Sequence, residues 1–344
     1  MICLSHESAL DFWSNPKRLT TSYHKVGNEM LEKCSSFIPD SLISNAEKLM
    51  GEHSGCAAVR FTDNKIMHVL LCNSAKRQNY SKVHNHVIFC DLPKFSLYKI
   101  SNDVLVVCPE LALLQVCGSK SVPEIVKLAC ELSSSFSVID CSKTPETIDD
   151  DQYVRTAFTS RLEVREPVSS AKAMNKFASE IAKFNGVKKF KRAISYVPNG
   201  SAASPMEISL AMLFCMPSKY GGFGLPKPEF NAGVLLGDKA ASIYGHSKCV
   251  CDLLWSEKKV DLEYNSDAMH ASSVQMLRDS ERALALESEG YRVISVTKQQ
   301  LFDVVRAKHV AQQVGKMLGY RIRTQRKDFD LLQAQLLHVL GLRG

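Results

Sequence analysis

Hydrophobic and polar residues recur with two different periods along the chain. In the N-terminal part, short runs rich in β-branched and aromatic residues are separated by Asn and Asp at regular intervals, which predicts a small mixed or antiparallel sheet. These runs span residues 57–61, 67–72, 83–89, 95–100 and 104–108. A short strand at Ile2 and helices over 41–50, 109–115 and 121–133 complete the pattern. We therefore expect residues 1–145 to form a smaller N-terminal α+β domain.

A polar segment separates this region from the rest of the chain. Residues 141–151 are polar and charged, which is typical of a linker. Helical patterns follow over 169–184 and 187–197, and basic residues are frequent in them. Their side chains could face a phosphate backbone, or could cover the helix with their apolar stems. We expect residues 146–200 to form a basic helical connector, in which the candidate nucleic-acid-binding residues are Lys188, Lys189, Lys191 and Arg192.

A different order of elements is predicted for residues 201–344. Ser204 can cap a helix in which Pro205 takes the first position and Glu207 lies in the first turn. Strands are predicted over 230–236, 241–244, 249–255 and 260–264, a helix over 270–287, a strand over 291–296 and a helix over 298–318. This order predicts a mixed α/β domain whose sheet is covered by helices.

The two predicted strands over 249–264 are expected to form a hairpin with several acidic side chains on one face. With a turn over 256–259, Trp255 pairs with Val260, and Asp252 lies opposite Glu263. Alternation then places Asp252, Asp261, Glu263 and Asn265 on the same face, together with Leu254. Opposed like charges destabilise a strand pair by roughly a few tenths of a kcal/mol. A bound divalent cation would offset the repulsion, and so would solvation or pairing with the lysines of the turn.

Composition narrows the class of protein. Of the 344 residues, 45% are hydrophobic and 23% are charged, as in soluble globular proteins. No apolar run reaches the ~18 residues of a membrane span, and the N-terminus does not resemble a signal peptide. The twelve cysteines are scattered without a Cys-x-x-Cys motif, so neither a disulfide framework nor a zinc ribbon is indicated. We expect a cytoplasmic protein with no membrane partner.

The formal charge of +7 is compatible with a polyanionic partner. Basic residues are concentrated over 306–327, a stretch without an acidic residue. It is a candidate phosphate-facing surface, although such runs are commonly solvated helix faces. The candidate nucleic-acid-binding residues here are Arg306, Lys308, Arg321, Arg323, Arg326 and Lys327.

The triplet His84-Asn85-His86 is interpreted as part of a strand rather than as a metal site. Period 2 places both histidines on one face, and the sequence offers no acidic or third ligand nearby.

Ordered motifs in the C-terminal part carry a resemblance to a known family. They are Ser204-Pro205-Met206-Glu207, Asp252, Glu263-Tyr264-Asn265, His270, Asp279-Ser280-Glu281-Arg282 and Gly290-Tyr291-Arg292-Val293. This set resembles the PD-(D/E)xK nucleases, in particular their very-short-patch-repair-like branch. The resemblance implies a restriction-endonuclease-like αβββαβ core and cleavage of DNA.

The resemblance also implies the roles of individual residues. Glu207, Asp252 and Glu263 would hold Mg²⁺ or Mn²⁺, and Asn265 and His270 would complete the catalytic set, with His270 as proton donor. The family places Lys where this chain has Asn265. An Asn can hydrogen-bond a water molecule, but it cannot supply the positive charge that stabilises a developing anion. For Asp279 and Arg282, spaced i, i+3, a structural ion pair is expected.

The whole chain also resembles AbiEi-like bacterial antitoxins and regulators, through Cys108-Pro109-Glu110-Leu111 before a helix. Two functions are therefore expected from different classes. One is a metal-dependent DNA endonuclease of bacterial defence or repair. The other is a non-catalytic regulator or antitoxin that keeps the nuclease fold and binds nucleic acid or a toxin, with the N-terminal domain contacting a protein partner. A protein that uses this fold only for protein contacts is a third alternative.

Overall fold

The computed structural model describes residues 1–15, 23–34, 66–74, 82–140, 160–265 and 273–342. The chain divides into two compact units, Met1–Ser195 and Tyr196–Gly344. The predicted helix over 41–50, the predicted strand over 57–61 and the predicted linker over 141–151 lie outside the described residues. In the described ranges, no helix is long and apolar enough to cross a bilayer.

A six-stranded mixed sheet forms the centre of the first unit. Its strands are β1 (Ile2–Leu4), β2 (His24–Val26), β3 (Met67–Leu71), β4 (Val83–Val87), β5 (Leu97–Lys99) and β6 (Val104–Val107). Their spatial order is β2-β5-β6-β1-β3-β4, so β2 and β4 form the two edges. The β1/β6 and β3/β4 pairs are parallel, and the remaining pairs are antiparallel. The prediction of a small mixed sheet is confirmed for β3, β4, β5 and β6, and β1 is the strand predicted at Ile2, whereas β2 was not predicted.

Helices and a second small sheet complete the first unit. They are α1 (His6–Ser14), α2 (Pro109–Gln115), α3 (Val122–Leu132), α4 (Ala171–Glu180) and α5 (Val187–Ile194), with the antiparallel pair β7 (Phe136–Asp140) and β8 (Ser160–Val164). The predicted start of α3 is confirmed by a reciprocal cap, in which the Ser121 and Glu124 side chains each accept the other's backbone N–H. Because α4 and α5 belong to this unit, the helices predicted as a connector over 146–200 are part of the first compact unit.

The second unit is built on a five-stranded sheet with the order β13-β12-β11-β10-β9. Its elements are β9 (Asn199–Gly200), α6 (Pro205–Cys215), β10 (Glu229–Leu235), α7 (Asp238–Tyr244), β11 (Lys248–Trp255), β12 (Val260–Asn265), α8 (Ser273–Ser288), β13 (Arg292–Thr297), α9 (Lys298–Phe302), α10 (Val304–Leu318) and α11 (Phe329–Leu340). The strands β10, β11 and β12 form an antiparallel meander, and β13 returns parallel to β12 after α8. The hairpin therefore lies in the middle of the sheet, as predicted.

Two predicted elements of this unit are corrected. Residues 241–244, predicted as a strand, form the end of α7. Gly237 precedes this helix, Asp238 lies in its positively polarised first turn, and Gly245 ends it with a φ of +78°. The single helix predicted over 298–318 is broken, because the Asp303 carboxylate caps the N–H groups of the next turn and begins α10.

Candidate active site in the second unit

The hairpin has the predicted register, and its two strands then separate. Trp255 pairs with Val260, Leu254 with Asp261 and Leu253 with Leu262, around a turn in which Lys259 has a φ of +51°. Beyond Leu253, β11 continues beside β10, while β12 continues beside β13. We call the opening between these two strands the fork.

Carboxylates bridge the two sides of the fork. The Asp252 N–H donates to Oε1 of Glu263 at 3.2 Å, and the Tyr264 N–H donates to Oδ2 of Asp252 at 2.9 Å. Each acid therefore accepts a backbone N–H from the strand opposite it. The predicted opposition of Asp252 and Glu263 is present, and it is stabilised by these two bonds rather than left as simple repulsion.

The third predicted acid, Glu207, is held by the start of α6. The Ser204 hydroxyl caps the helix by accepting the Glu207 N–H at 3.2 Å, as predicted. Oε2 of Glu207 in turn accepts the Ala203 N–H at 2.8 Å and the Asn231 amide N–H at 2.6 Å. Glu207 is 6% exposed, so both bonds are shielded from water. The carboxylate thus stabilises its own helix start and is also tied to β10.

Two backbone features position this contact. Asn231 has a φ of +46° within β10, which turns its side chain toward Glu207 and the Ser201 carbonyl. Gly200 has a φ of +81°, and a Cβ there would lie 2.1 Å from the Phe230 carbonyl oxygen. Glycine is therefore required where β9 passes β10 and leads into the segment before α6.

The three acids influence one another electrostatically. Burial and the charges of Glu263 and Glu207 raise the pKa of Asp252 to about 7, against the hydrogen bond from Tyr264. Burial, with a smaller effect of Glu263, also raises the pKa of Glu207. The charges of Glu263 and Glu207 thus disfavour ionisation of Asp252. Glu207 and Asp252 do not belong to a described group of three or more ligand atoms that all lie within 4.8 Å of one another.

Arg282 on α8 lies in the fork. Its Nη1 and Nη2 donate to the two carboxylate oxygens of Glu263 at 2.8 and 2.5 Å, and Nη2 also donates to the Val250 carbonyl. Its Nε lies 3.2 Å from Sγ of Cys249. Burial opposes ionisation of Glu263, but the hydrogen bonds and charge of Arg282, together with Asp261 and the Asp252 N–H, outweigh it and lower the pKa of that carboxyl. The expected partner of Arg282 was Asp279; the structure directs its guanidinium to Glu263.

Asp261 was missing from the predicted site, although the alternation placed it on the same face as Glu263. It is fully buried, and neither of its oxygens accepts a hydrogen bond from a described residue. Burial and the adjacent Glu263 raise the pKa of Asp261 to about 10, which favours its neutral form.

Asp261, Glu263 and Cys251 each offer a ligand atom within 4.8 Å of the others, and this group includes neither Glu207 nor Asp252. Its position two residues before Glu263 could have indicated Asp261 as a site residue, because residues i and i+2 of a strand lie on one face.

The remaining predicted residues lie around the fork or outside the described ranges. Asn265 ends β12 opposite Thr297 of β13 and is half-buried. Lys259 donates to the Glu289 carbonyl at 2.8 Å, so the turn lysine is engaged away from the acids. His270 lies outside the described residues. Its predicted role as proton donor stays a prediction.

The basic candidates belong to both units. Lys188, Lys191 and Arg192 are exposed on α5 of the first unit, where Lys189 donates to the Lys120 carbonyl at 2.9 Å. In the second unit, Arg321, Arg323 and Lys327 are exposed and Lys308 is half-buried. Arg306 forms an ion pair with Asp303 at 3.6 Å, and Arg326 forms one with Asp328 at 2.9 Å. The basic segment over 306–327 contains no acidic residue, but Asp303 and Asp328 at its two ends neutralise part of its positive charge.

Comparisons with known proteins identify no similar protein. No family model, curated protein or solved structure matches the chain. The assignment of function therefore depends on the geometry of the fork and its acids.

Proposed function

We propose that the second unit is a Mg²⁺- or Mn²⁺-dependent endonuclease-like domain that acts on DNA in bacterial defence or repair. The observation that supports it most is the position of Asp252. This half-buried acid accompanies two buried ones, Glu207 on α6 and Glu263 on β12, and their charges contribute to raising its pKa to about 7. A divalent cation removes that repulsion.

The order of elements supports the same proposal. The succession α6, β10, β11, β12, α8 and β13 follows the αβββαβ order of the restriction-endonuclease-like core that the sequence motifs resemble, with the short α7 inserted after β10. Glu207 begins the first helix, and Asp252 and Glu263 lie on neighbouring central strands.

The chemistry of the three carboxylates suits a hard cation, which would have to draw Glu207 and Asp252 closer, because neither belongs to a described group of ligand atoms within 4.8 Å of one another. Glu207, Asp252 and Glu263 offer carboxylate oxygens, which Mg²⁺ and Mn²⁺ prefer over sulfur or imidazole ligands. A bound cation would supply a water molecule of lowered pKa and neutralise charge at a scissile phosphate. The chain contributes orientation: the Ala203 and Asn231 N–H groups fix Glu207, and the Tyr264 N–H fixes Asp252. Asn265 can hydrogen-bond a water molecule at the position where the family has Lys.

Isothermal titration of the tag-free protein with Mg²⁺ and Mn²⁺ tests metal binding, and plasmid nicking with Mn²⁺ tests catalysis. We expect binding heat and nicking in the parent, with both lost in Asp252→Asn. Asp238→Asn is the matched control, because Asp238 is an exposed acid of the same unit. The absence of heat and nicking in the parent would remove the nuclease proposal.

A second function is favoured by Arg282. Its guanidinium already occupies both oxygens of Glu263 and supplies the positive charge that a cation would bring. Together with Asn265 at the lysine position, this supports a non-catalytic regulator or antitoxin that binds nucleic acid or a toxin. Retention of DNA with a steep salt dependence, without nicking in Mn²⁺, would favour this function over the first.

A further inference from the structure

Three histidines of the first unit meet on two parallel strands. In the β3/β4 pair, His68 lies beside His84 and Leu70 lies beside His86. Alternation places His84 and His86 on one face of β4, and the parallel register brings His68 to the same place from β3. One ring nitrogen of each histidine lies within 4.8 Å of the other two. The third ligand that the triplet His84-Asn85-His86 lacks in sequence is supplied by the neighbouring strand.

The N-terminus of α1 adds two further groups to this cluster. The His6 ring stacks on His86 with a centroid distance of 3.5 Å, and Oε2 of Glu7 lies 3.8 Å from Nδ1 of His68. His6 has a φ of +48°, and its N–H donates to Oε1 of Gln115 at 3.0 Å. A non-glycine residue in this conformation is strained, and such strain is concentrated at functional sites.

The imidazole side chain binds a metal through the lone pair of a ring nitrogen, and three such rings converge at this point. Oε2 of Glu7 lies 3.8 Å from Nδ1 of His68, the nitrogen that faces His86, so its carboxylate adds negative charge beside the histidine cluster.

We propose that His68, His84 and His86 bind a first-row transition cation such as Zn²⁺, with the Glu7 carboxylate adding negative charge beside the site. Imidazole ligands favour Zn²⁺, Ni²⁺ or Cu²⁺ over Mg²⁺. With Zn–N bonds of about 2.0–2.1 Å, two nitrogens of a tetrahedral site lie ~3.3 Å apart. Nδ1 of His68 and Nε2 of His86 are now 2.8 Å apart in a hydrogen bond. Opening that bond by about half an ångström admits the ion.

A cleft gives this site access to a further ligand. His6 and His86 line a cleft with a volume of 1470 Å³, together with Gln115. Gln115 is 8% exposed, and its amide nitrogen has no hydrogen-bond partner among the described residues. Of the three proposed ligands, His86 lines this cleft, so a further ligand would approach the metal from the side of His86.

Zinc titration of tag-free protein, with bound metal counted after gel filtration by mass spectrometry, tests the site. We expect about one equivalent of Zn²⁺ in the parent and a loss of affinity of roughly 100-fold or more in His84→Ala. His84 is exposed, so this variant should fold, which circular dichroism checks. His24→Ala is the matched control, because His24 is exposed on β2 at the opposite edge of the same sheet.

Two more variants make the result decisive. Glu263→Gln removes the carboxylate site of the second unit and should retain the equivalent of Zn²⁺, so this site and the proposed nuclease site can fail independently. Glu7→Gln removes a negative charge beside Nδ1 of His68 and should weaken binding by roughly 10-fold. A parent that binds no Zn²⁺, or a His84→Ala protein that binds as the parent does, would overturn the proposal.

Discussion

Arg282 and Glu263 form a two-pronged ion pair across the fork, with N–O distances of 2.8 and 2.5 Å. The side chains are 22% and 11% exposed, so water screens the pair only partly. Arg282 is the cation nearest to the acids of the fork among the contacts described, and it holds Glu263 ionised beside the neutral Asp261. Loss of the pair would leave Glu263 buried without a counter-charge.

Replacing Arg282 with Ala should lower the free energy of unfolding by about 3 kcal/mol, because Glu263 is left buried without its partner. Urea denaturation in EDTA measures this loss. Added Mg²⁺ should restore part of it, since a cation that binds the folded state alone stabilises that state. Arg278→Ala is the matched control on α8, because Arg278 is exposed. An unchanged midpoint in Arg282→Ala would contradict the role given to the pair.

Asp252→Asn should make the metal-free protein more stable at high pH. The folded-state pKa of about 7 lies above the ordinary value of 3.8, so the folded protein holds a proton that the unfolded chain releases between these values. Stability due to this group is therefore present at low pH and is lost as pH rises toward 7. We expect Asp252→Asn to gain about 2 kcal/mol over the parent at pH 8 and to lose that advantage near pH 4. Denaturation across pH in EDTA is the measurement, and a constant difference between the two proteins would refute it.

Two substitutions of Glu207 separate its two roles. Gln retains an oxygen that can accept the Ala203 and Asn231 N–H groups, whereas Ala leaves these donors without it. We expect Glu207→Ala to lose roughly 1–3 kcal/mol of stability and Glu207→Gln to lose less. Both should lose Mg²⁺ affinity, measured by titration. Full Mg²⁺ binding in a folded Glu207→Gln protein would limit Glu207 to capping α6.

Basic residues of the second unit should contribute unequally to DNA binding. Arg321 and Arg323 are exposed, while Arg306 and Arg326 are held by Asp303 and Asp328. The Arg321→Ala/Arg323→Ala protein should lower the slope of log affinity against log salt by about 2. The Arg306→Ala/Arg326→Ala protein should change it less, because those side chains must first leave an acid. Fluorescence anisotropy with duplex DNA measures both slopes, and equal losses would show that the ion pairs do not matter.

The hairpin could be predicted in detail because local rules determine it. A four-residue turn sets which residues face each other, and period 2 assigns each side chain to a face, so the register from Trp255 to Leu253 followed from the sequence. The start of α6 could also be predicted from the sequence, since Ser204, Pro205 and Glu207 occupy the positions that helix capping favours. The general mixed α/β class followed from the same patterns.

Contacts between distant segments could not be predicted in this way. Arg282 binds Glu263 rather than the expected Asp279, because α8 packs over the fork. The spacing of residues along α8 does not predict that packing. Asn231 reaches Glu207 through a positive φ that strand residues rarely adopt. His68 joins His84 and His86 only through the parallel pairing of β3 with β4. Periodicity shows which face a residue occupies, and it does not show which strand lies alongside.

The backbone N–H groups of Asp252 and Tyr264 donate hydrogen bonds to side-chain carboxylate oxygens, whereas N–H groups in a sheet usually donate to the carbonyl oxygens of a neighbouring strand. An ion that draws electron density from those oxygens must weaken both amide bonds at once. Hydrogen–deuterium exchange at these two backbone positions would therefore speed up when the fork is loaded, and slow down again when a chelator empties it. The polypeptide backbone itself reports occupancy, without any label or substrate.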